Sequence, residues 1–499
     1  MSFIAKLSTN LVVLSLLCSA PSFARGPAKL NFTKQTINAE LPVTGELTYF
    51  TLDNNKTHLL IQSGQSFTHI ADVGSAKKST QNNTKAAPQA KIIKMPDNTL
   101  FYNKGKLANV ADDVLFYFTA DEVLVYNLKT ATIVKRLPVD SFYKGQQSIG
   151  AKRKDFIIDS NGDGLSDVIT SNFDNINLYV QTADGEFEHQ KLELGPQGQI
   201  TSSGVNFSEH PATSMDVNND GLADLAFQID NELRVFAQNK QQRFATTATT
   251  ITLNAGILGM KQKRQMKDKG EKADVNIRFE ALKDLNGDGL MDLITQIHKR
   301  DGLMSSSSKY PVRFGRLNNG LLSFSPKSDT EMQIKGQGDI EFDDINNDGL
   351  QDYYTMSLEM GVGAMMSLMS GSIDMDLQFY PMGKNHTFST KPAYEDELEV
   401  QIDMDDNNGG EGKPFLAVED FNGDGIKDLV KQTDDDEFRI FNGGDGRLFS
   451  RRGSKYDIDL PAKGSVEIKD INNDGKADLL FRFSKDKGRN KLTVWLSRS

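Results

Sequence analysis

The nine residues Asp284-Leu285-Asn286-Gly287-Asp288-Gly289-Leu290-Met291-Asp292 place oxygen-bearing side chains at positions 1, 3, 5 and 9 of a short loop. Asp284, Asn286, Asp288 and Asp292 can converge on one hard cation, with the Leu290 carbonyl as a fifth oxygen. Calcium accepts six to eight oxygen ligands in flexible geometry, and water can complete such a shell. Gly289 allows the positive φ that wraps the loop round an ion.

The same nonapeptide occurs six times. The other copies run over 159–167 (DSNGDGLSD), 216–224 (DVNNDGLAD), 344–352 (DINNDGLQD), 420–428 (DFNGDGIKD) and 470–478 (DINNDGKAD). The expected ligands are Asp159, Asn161, Asp163, Leu165 and Asp167; Asp216, Asn218, Asp220, Leu222 and Asp224; Asp344, Asn346, Asp348, Leu350 and Asp352. The last two copies supply Asp420, Asn422, Asp424, Ile426 and Asp428, then Asp470, Asn472, Asp474, Lys476 and Asp478. A set of Asx turns between strands is the metal-free alternative. It does not account for three carboxylates per loop, which repel one another without a cation. About six calcium ions are therefore expected.

An EF-hand is excluded, because it needs Glu at position 12, and position 12 here is Thr170, Phe227, Thr295, Thr355, Lys431 or Phe481. The first aspartates lie 57, 68, 60, 76 and 50 residues apart. A period of that size means one supersecondary unit per repeat, stacked or closed into a ring.

The elements that would position these loops are strands. Around the first loop, Lys154–Ile158, Val168–Ser171, Ile176–Gln181 and Glu186–Leu194 read as a four-stranded antiparallel meander with short turns. The fifth copy reads the same way, with Phe415–Val418, Leu429–Gln432, Glu437–Phe441, a turn at Asn442–Gly446 and Arg447–Arg451. Residues 28–150 lack the loop but keep the rhythm. One set is Gln35–Leu41, Glu46–Leu52, Thr57–Gln62 and Phe67–Val73; after a polar loop at Lys77–Ala90, a second is Leu100–Tyr102, Val114–Thr119, Glu122–Tyr126 and Ile133–Leu137. Radially repeated four-stranded sheets make a β-propeller.

The D-x-N-x-D-G-x-x-D loops, each running into an apolar strand, resemble the FG-GAP/VCBS repeat family, best known from integrin alpha-chain propellers. The resemblance covers about residues 150–499, and the literal Phe-Gly…Gly-Ala-Pro signature is absent. It implies the propeller fold and calcium at the loop residues. Since the family spans adhesion, carbohydrate-binding, assembly and a few enzymatic proteins, it does not by itself fix an activity.

Six loops and two degenerate repeats give eight blades; seven, with one blade and an irregular arm in 28–150, is the alternative. The last repeat offers only Val466–Lys469, Leu479–Ser484 and Leu492–Leu496, and Leu30–Thr33 could supply its missing strand and close the ring.

Residues 1–24 read as a secretory signal peptide: Lys6 is the only charge, Leu11 to Leu17 form an apolar core, and Ser22-Phe23-Ala24 is a small-x-small cleavage site. The expected organisation is 1–24 as signal and 25–499 as one propeller domain, with degenerate blades in 25–150 and six calcium-loop blades in 151–499. The only cysteine, Cys18, lies in the signal, so the mature chain has no disulfide or thiol site. The destination is the periplasm or the exterior. No later run is long enough to span a membrane. The formal net charge is -11, and the six loops hold 18 aspartates, so the acidity mostly reflects ion sites. Nucleic-acid binding needs a basic face and is not expected; the basic run Lys261–Lys272 reads as an exposed loop.

Two stretches depart from the repeat. Asp403–Gly412 (DMDDNNGGEG) reads as an acidic surface loop, with a further ion as the alternative. Met356–Met382 carries seven methionines among Gly and Ser. It reads as a hairpin arm for docking or packing, against a Cu(I) site that thioethers could form.

No catalytic residue or organic-cofactor site is expected. The six histidines are scattered, and the sequence has no H-E-x-x-H, no G-x-S-x-G and no phosphate-binding glycine loop. The expected function is a non-catalytic binding or adhesion module for a protein or glycan partner. An envelope assembly scaffold or a polysaccharide-active enzyme is the alternative. The single Trp495 falls in a strand, which disfavours a lectin built on repeated tryptophans.

Overall fold

The computed structural model describes residues 30–39, 41–43, 45–53, 55–75, 90–148, 150–201, 204–253, 274–301, 305–359, 372–401, 415–434, 437–444, 446–458, 464–483 and 489–498. Among them the regular elements are all strands, and they form eight antiparallel blades in a ring, an eight-bladed β-propeller. The signal-peptide reading, the basic run Lys261–Lys272, the acidic loop Asp403–Gly412 and the polar loop apart from Ala90 lie outside the described residues.

In chain order, blade 1 is Leu47–Leu52, Lys56–Ser63, Ser66–Ile70 and Ala90–Lys94. Blade 2 is Phe101–Gly105, Val114–Phe118, Glu122–Asn127 and Thr132–Pro138, with Lys152–Arg153 added in parallel at its inner edge. Blades 3 to 8 begin with Ile157–Ile158, Ala212–Met215, Asp274–Lys283, Gln337–Asp343, Leu416–Glu419 and Gly464–Lys469. The middle strands of a blade are sandwiched between two neighbours and are apolar on both faces, as in Val114–Phe118 (VLFYF), buried along its whole length. A fourth strand such as Thr330–Lys335 (TEMQIK) alternates, burying Thr330, Met332 and Ile334.

Eight hydrophobic clusters sit between the blades, one at each junction. Ile176, Leu178 and Val180 of blade 3 meet Leu225, Phe227 and Phe236 of blade 4 in one of them. The ring closes where Leu480, Leu492 and Val494 of blade 8 pack on Leu47, Leu59 and Ile61 of blade 1.

Closure uses the N-terminal strand, as expected, but a longer one. Asn31–Asn38 pairs antiparallel with Lys491–Arg498 along its full length, from Asn31↔Arg498 to Asn38↔Lys491. The expected blade-1 strand Gln35–Leu41 is therefore part of the closing strand, because the β-forming run from Asn31 continues unbroken past Gln35. Blade 1 takes its fourth strand from Ala90–Lys94.

Two other readings are corrected. In blade 7 the fourth strand is Ser454–Asp457, and Gly443–Gly444 with Arg447–Phe449 form a separate small hairpin. Met356–Met382 is not an insertion over its whole length. Asp352–Leu358 and Ser372–Tyr380 are the long second and third strands of blade 6, and Met382 is buried in the core between blades 5 and 6. Residues 360–371, the centre of the expected arm, are outside the described part.

Candidate functional site

Every D-x-N-x-D-G-x-x-D loop joins the first strand of a blade to its second, so all six lie on one face of the ring. Each is folded by its own side chains. The first aspartate accepts the N–H of the position-6 glycine, at 2.9 Å for Asp159–Gly164 and 2.8 Å for Asp284–Gly289. The asparagine Oδ1 accepts the N–H of position 5, and the position-5 carboxylate accepts the N–H of position 7, as in Asn286–Asp288 at 3.1 Å and Asp288–Leu290 at 2.8 Å. Corresponding bonds recur in all six loops. The position-6 glycine has φ between 82° and 86° throughout, the left-handed region where a side chain is strained.

The ninth residue differs from the others. Asp167, Asp224, Asp292, Asp352, Asp428 and Asp478 each open a second strand and are 0% exposed. One oxygen takes the N–H of loop position 2, from Ser160, Val217, Leu285, Ile345, Phe421 or Ile471. The other takes a backbone N–H from the end of the third strand or just beyond, from Gln181, Gln238, Gly315, Met382, Gly443 or Ser497. Burial raises the pKa of all six, to about 6 for Asp167 and Asp292 and about 7 for Asp352, Asp428 and Asp478; the N–H donors oppose the rise and the loop's other carboxylates add to it.

Each loop thus gathers three carboxylates and an amide oxygen, the hard-oxygen set that suits calcium. In the present arrangement these oxygens are turned onto backbone N–H groups. Among the described residues no three His, Cys, Asp or Glu side chains are grouped so as to hold a metal ion as they stand. An oxygen that accepts one hydrogen bond keeps a further lone pair, so the donor chemistry fits the ion while the closed shell is not preformed.

Sequence reasoning missed how this face is joined. A hydrogen bond crosses each of the eight junctions here. Asp113 N donates to Thr51 O, Ser166 N to Lys106 O, Leu322 N to Val217 O, Gln351 N to Leu285 O, Lys427 N to Ile345 O and Ala477 N to Asp420 O. Gln238 Nε2 donates to Asn161 O, and Asn473 Nδ2 of blade 8 to Asn55 O of blade 1 at 2.7 Å.

It also missed a seventh loop of the same length. Gly105 pairs with Val114 as Ile158 pairs with Asp167, so Lys106–Val114 is the nine-residue counterpart in blade 2. Asn109 has φ 62°, matching the positive φ at position 4 of every aspartate loop. The visible signal was the combination of equal length, Asn109 and the Asp112-Asp113 pair.

The opposite face carries the turns between second and third strands. There Phe173 is 60% exposed and meets Phe207 edge-on at 5.1 Å. Trp495 is buried between blades 7 and 8.

No family model matches the sequence, and no curated protein matches it. Among solved structures the chain is similar to an Agrocybe aegerita lectin described as recognising non-reducing terminal N-acetylglucosamine, at 13% identity and TM-score 0.40 over 93% of this chain and 99% of that one. It is also similar to BBS1N in complex with ARL6DN, at 11% identity and TM-score 0.35 over 93% and 96% of the two chains. A further similarity is to the WD40 domain of SCAP from fission yeast, at 11% identity and TM-score 0.31 over 81% and 82%. Identities this low leave ligand and partner to the residues themselves. Among the described residues no helix is long and apolar enough to cross a membrane.

Proposed function

We propose that this chain is an exported calcium-binding β-propeller of the FG-GAP/VCBS type, acting as a non-catalytic binding or adhesion module for a protein or glycan partner. The observation that carries the reading is the sixfold recurrence, on one face, of the same oxygen-rich loop with the same internal hydrogen bonds. Asp at positions 1, 5 and 9, Asn at position 3 and the carbonyl at position 7 would hold the ion. A bound calcium supplies the positive charge that lets three carboxylates share one loop. The chain's own residues shape the loop, bury the ninth carboxylate and bond the loops to the neighbouring blades. The result is a rigid ring with two broad faces for recognition.

Two measurements test this. Metal analysis of the purified protein is expected to find several calcium ions per chain, and excess EGTA is expected to lower Tm. Each site contributes about 2.7 kcal/mol at a hundredfold excess of ion over Kd. Calcium should restore Tm better than magnesium, which gives up its water reluctantly. An unchanged melt in EGTA with no bound calcium would remove the metal reading. A glycan array run beside a pull-down from an envelope fraction then separates the two partner classes.

A further inference from the structure

The nine-residue loop of blade 2 has no carboxylate at positions 1, 5 or 9, where Lys106, Val110 and Val114 stand. It has Asp113 at position 8 instead, 5% exposed. Two donors hold that carboxylate. Thr51 N of blade 1 donates to one oxygen at 2.7 Å, and the Lys106 ammonium lies 2.6 Å from the other. Lys104 adds a second, more distant positive charge at 3.9 Å while donating to Tyr49 O. Next to it, Asp112 accepts Asp53 N at 3.0 Å, and the Lys129 ammonium lies 2.8 Å from Asp53 and 3.7 Å from Asp112. The backbone role of the loop is kept, because Lys106 O receives Ser166 N of the first aspartate loop.

We propose that Lys106 is a built-in cation for blade 2, in the role that calcium has in the other six loops, so that the 106–114 loop and its junction to blade 1 are held independently of metal. The inference rests on the calcium reading for the contrast it draws, and on the Lys106–Asp113 contact for its own content. A lysine at position 1 puts a fixed charge where the other loops put an anion. The buried carboxylate it satisfies would otherwise be left with Thr51 N as its one close donor and the more distant Lys104 charge.

The test is amide hydrogen exchange on the full chain, with calcium and with EGTA, for the wild type and Lys106→Met. In the wild type the amides of 107–114 are expected to exchange at the same rate in both conditions, while those of 285–292 and 345–352 speed up in EGTA. In Lys106→Met the 107–114 amides are expected to exchange about tenfold faster in both conditions. Wild-type protection at 107–114 that falls in EGTA together with the other loops would overturn the proposal, and so would a Lys106→Met chain with unchanged exchange there. If no loop responds to EGTA, the calcium reading fails; the Lys106→Met comparison still decides whether the ammonium holds the loop. Should that variant fail to fold, the wild-type comparison stands alone, and Lys106→Arg, which keeps the charge, is expected to retain wild-type protection.

Discussion

Gly315 donates its backbone N–H to Oδ1 of Asp292 at 2.9 Å, tying the chain just past the third strand of blade 5 to the start of the second. The other oxygen of the same carboxylate takes Leu285 N at 2.8 Å. Asp292 is therefore a clasp inside the blade as well as a candidate ligand. Asp292→Ala leaves two buried N–H groups without acceptors, at about 1–3 kcal/mol each. The expected loss is roughly 3 kcal/mol by urea titration in EGTA, where only the clasp is lost, and larger in calcium, where a ligand is lost as well. Asp284→Ala, in the open part of the loop, should cost clearly less in EGTA than in calcium. Equal behaviour of the two variants in EGTA would refute the clasp.

The alternation of Gly and Asn at loop position 4 has a packing cause at Gly287 that Gly423 lacks. A Cβ on Gly287 would lie 2.9 Å from the Gly349 carbonyl oxygen, whereas one on Gly423 would lie 2.8 Å from the movable end of Lys476. Both have positive φ, which Asn tolerates. Gly423→Asn should then lower stability by less than about 1 kcal/mol, and Gly287→Asn by about 1–3 kcal/mol, because a neighbouring backbone has to move. Thermal melts of the two variants give the comparison, and a costlier Gly423→Asn would contradict it.

The six loops were legible because identical oxygen spacing repeated in a chain rich in β-forming runs, and blade order followed from one loop per blade. What escaped the sequence was longer in range. The bond from Ala477 N to Asp420 O, like five of its counterparts, joins backbone atoms that carry no side-chain signature. Asn31–Asn38 was split between two blades, since local alternation does not say that its partner lies more than 450 residues away. The Met356–Met382 stretch looked like an insert because the methionines near its ends sit inside two strands of blade 6, at paired positions such as Met356↔Leu377 that the local sequence does not show.

Ring closure gives a third prediction. Ile37 is 0% exposed in the cluster between blades 8 and 1, and Phe32 packs against Trp495 with centroids 5.5 Å apart. Ile37→Ala should cost about 2–4 kcal/mol by cavity formation. Deleting residues 25–38 strips the partner from Lys491–Arg498 and leaves an unpaired edge, a template for association between chains. Light scattering should show aggregation of the deletion variant. A monomer with an unchanged melt would mean that the strand is dispensable.

Acid sensitivity should centre on blade 1, where His58 Nδ1 and His69 Nε2 are 3.0 Å apart. His58 is 5% exposed, and its Nε2 is buried without a hydrogen-bond partner. Burial pushes both imidazoles down. For His69 the value falls to about 4, with the positive charges of His58 and Lys91 adding to the effect; for His58 the carboxylates of Asp53 and Asp72 oppose it, while Lys56 works with burial. The unfolded chain binds its protons near the ordinary value of 6.5 and the folded chain does not. Between pH 6.5 and 4 the unfolded state therefore carries more protons, and stability falls as pH falls. Above 6.5 the pair has no effect, and below 4 the contribution of His69 is constant. For His69 the full drop is up to about 3 kcal/mol. Urea midpoints of the wild type and His69→Phe, taken from pH 7 to pH 4, isolate this pair from the carboxylates common to both. The difference between the two proteins should shift in favour of His69→Phe as pH falls, and a difference independent of pH would show that the imidazoles take up protons equally in the folded and unfolded chain.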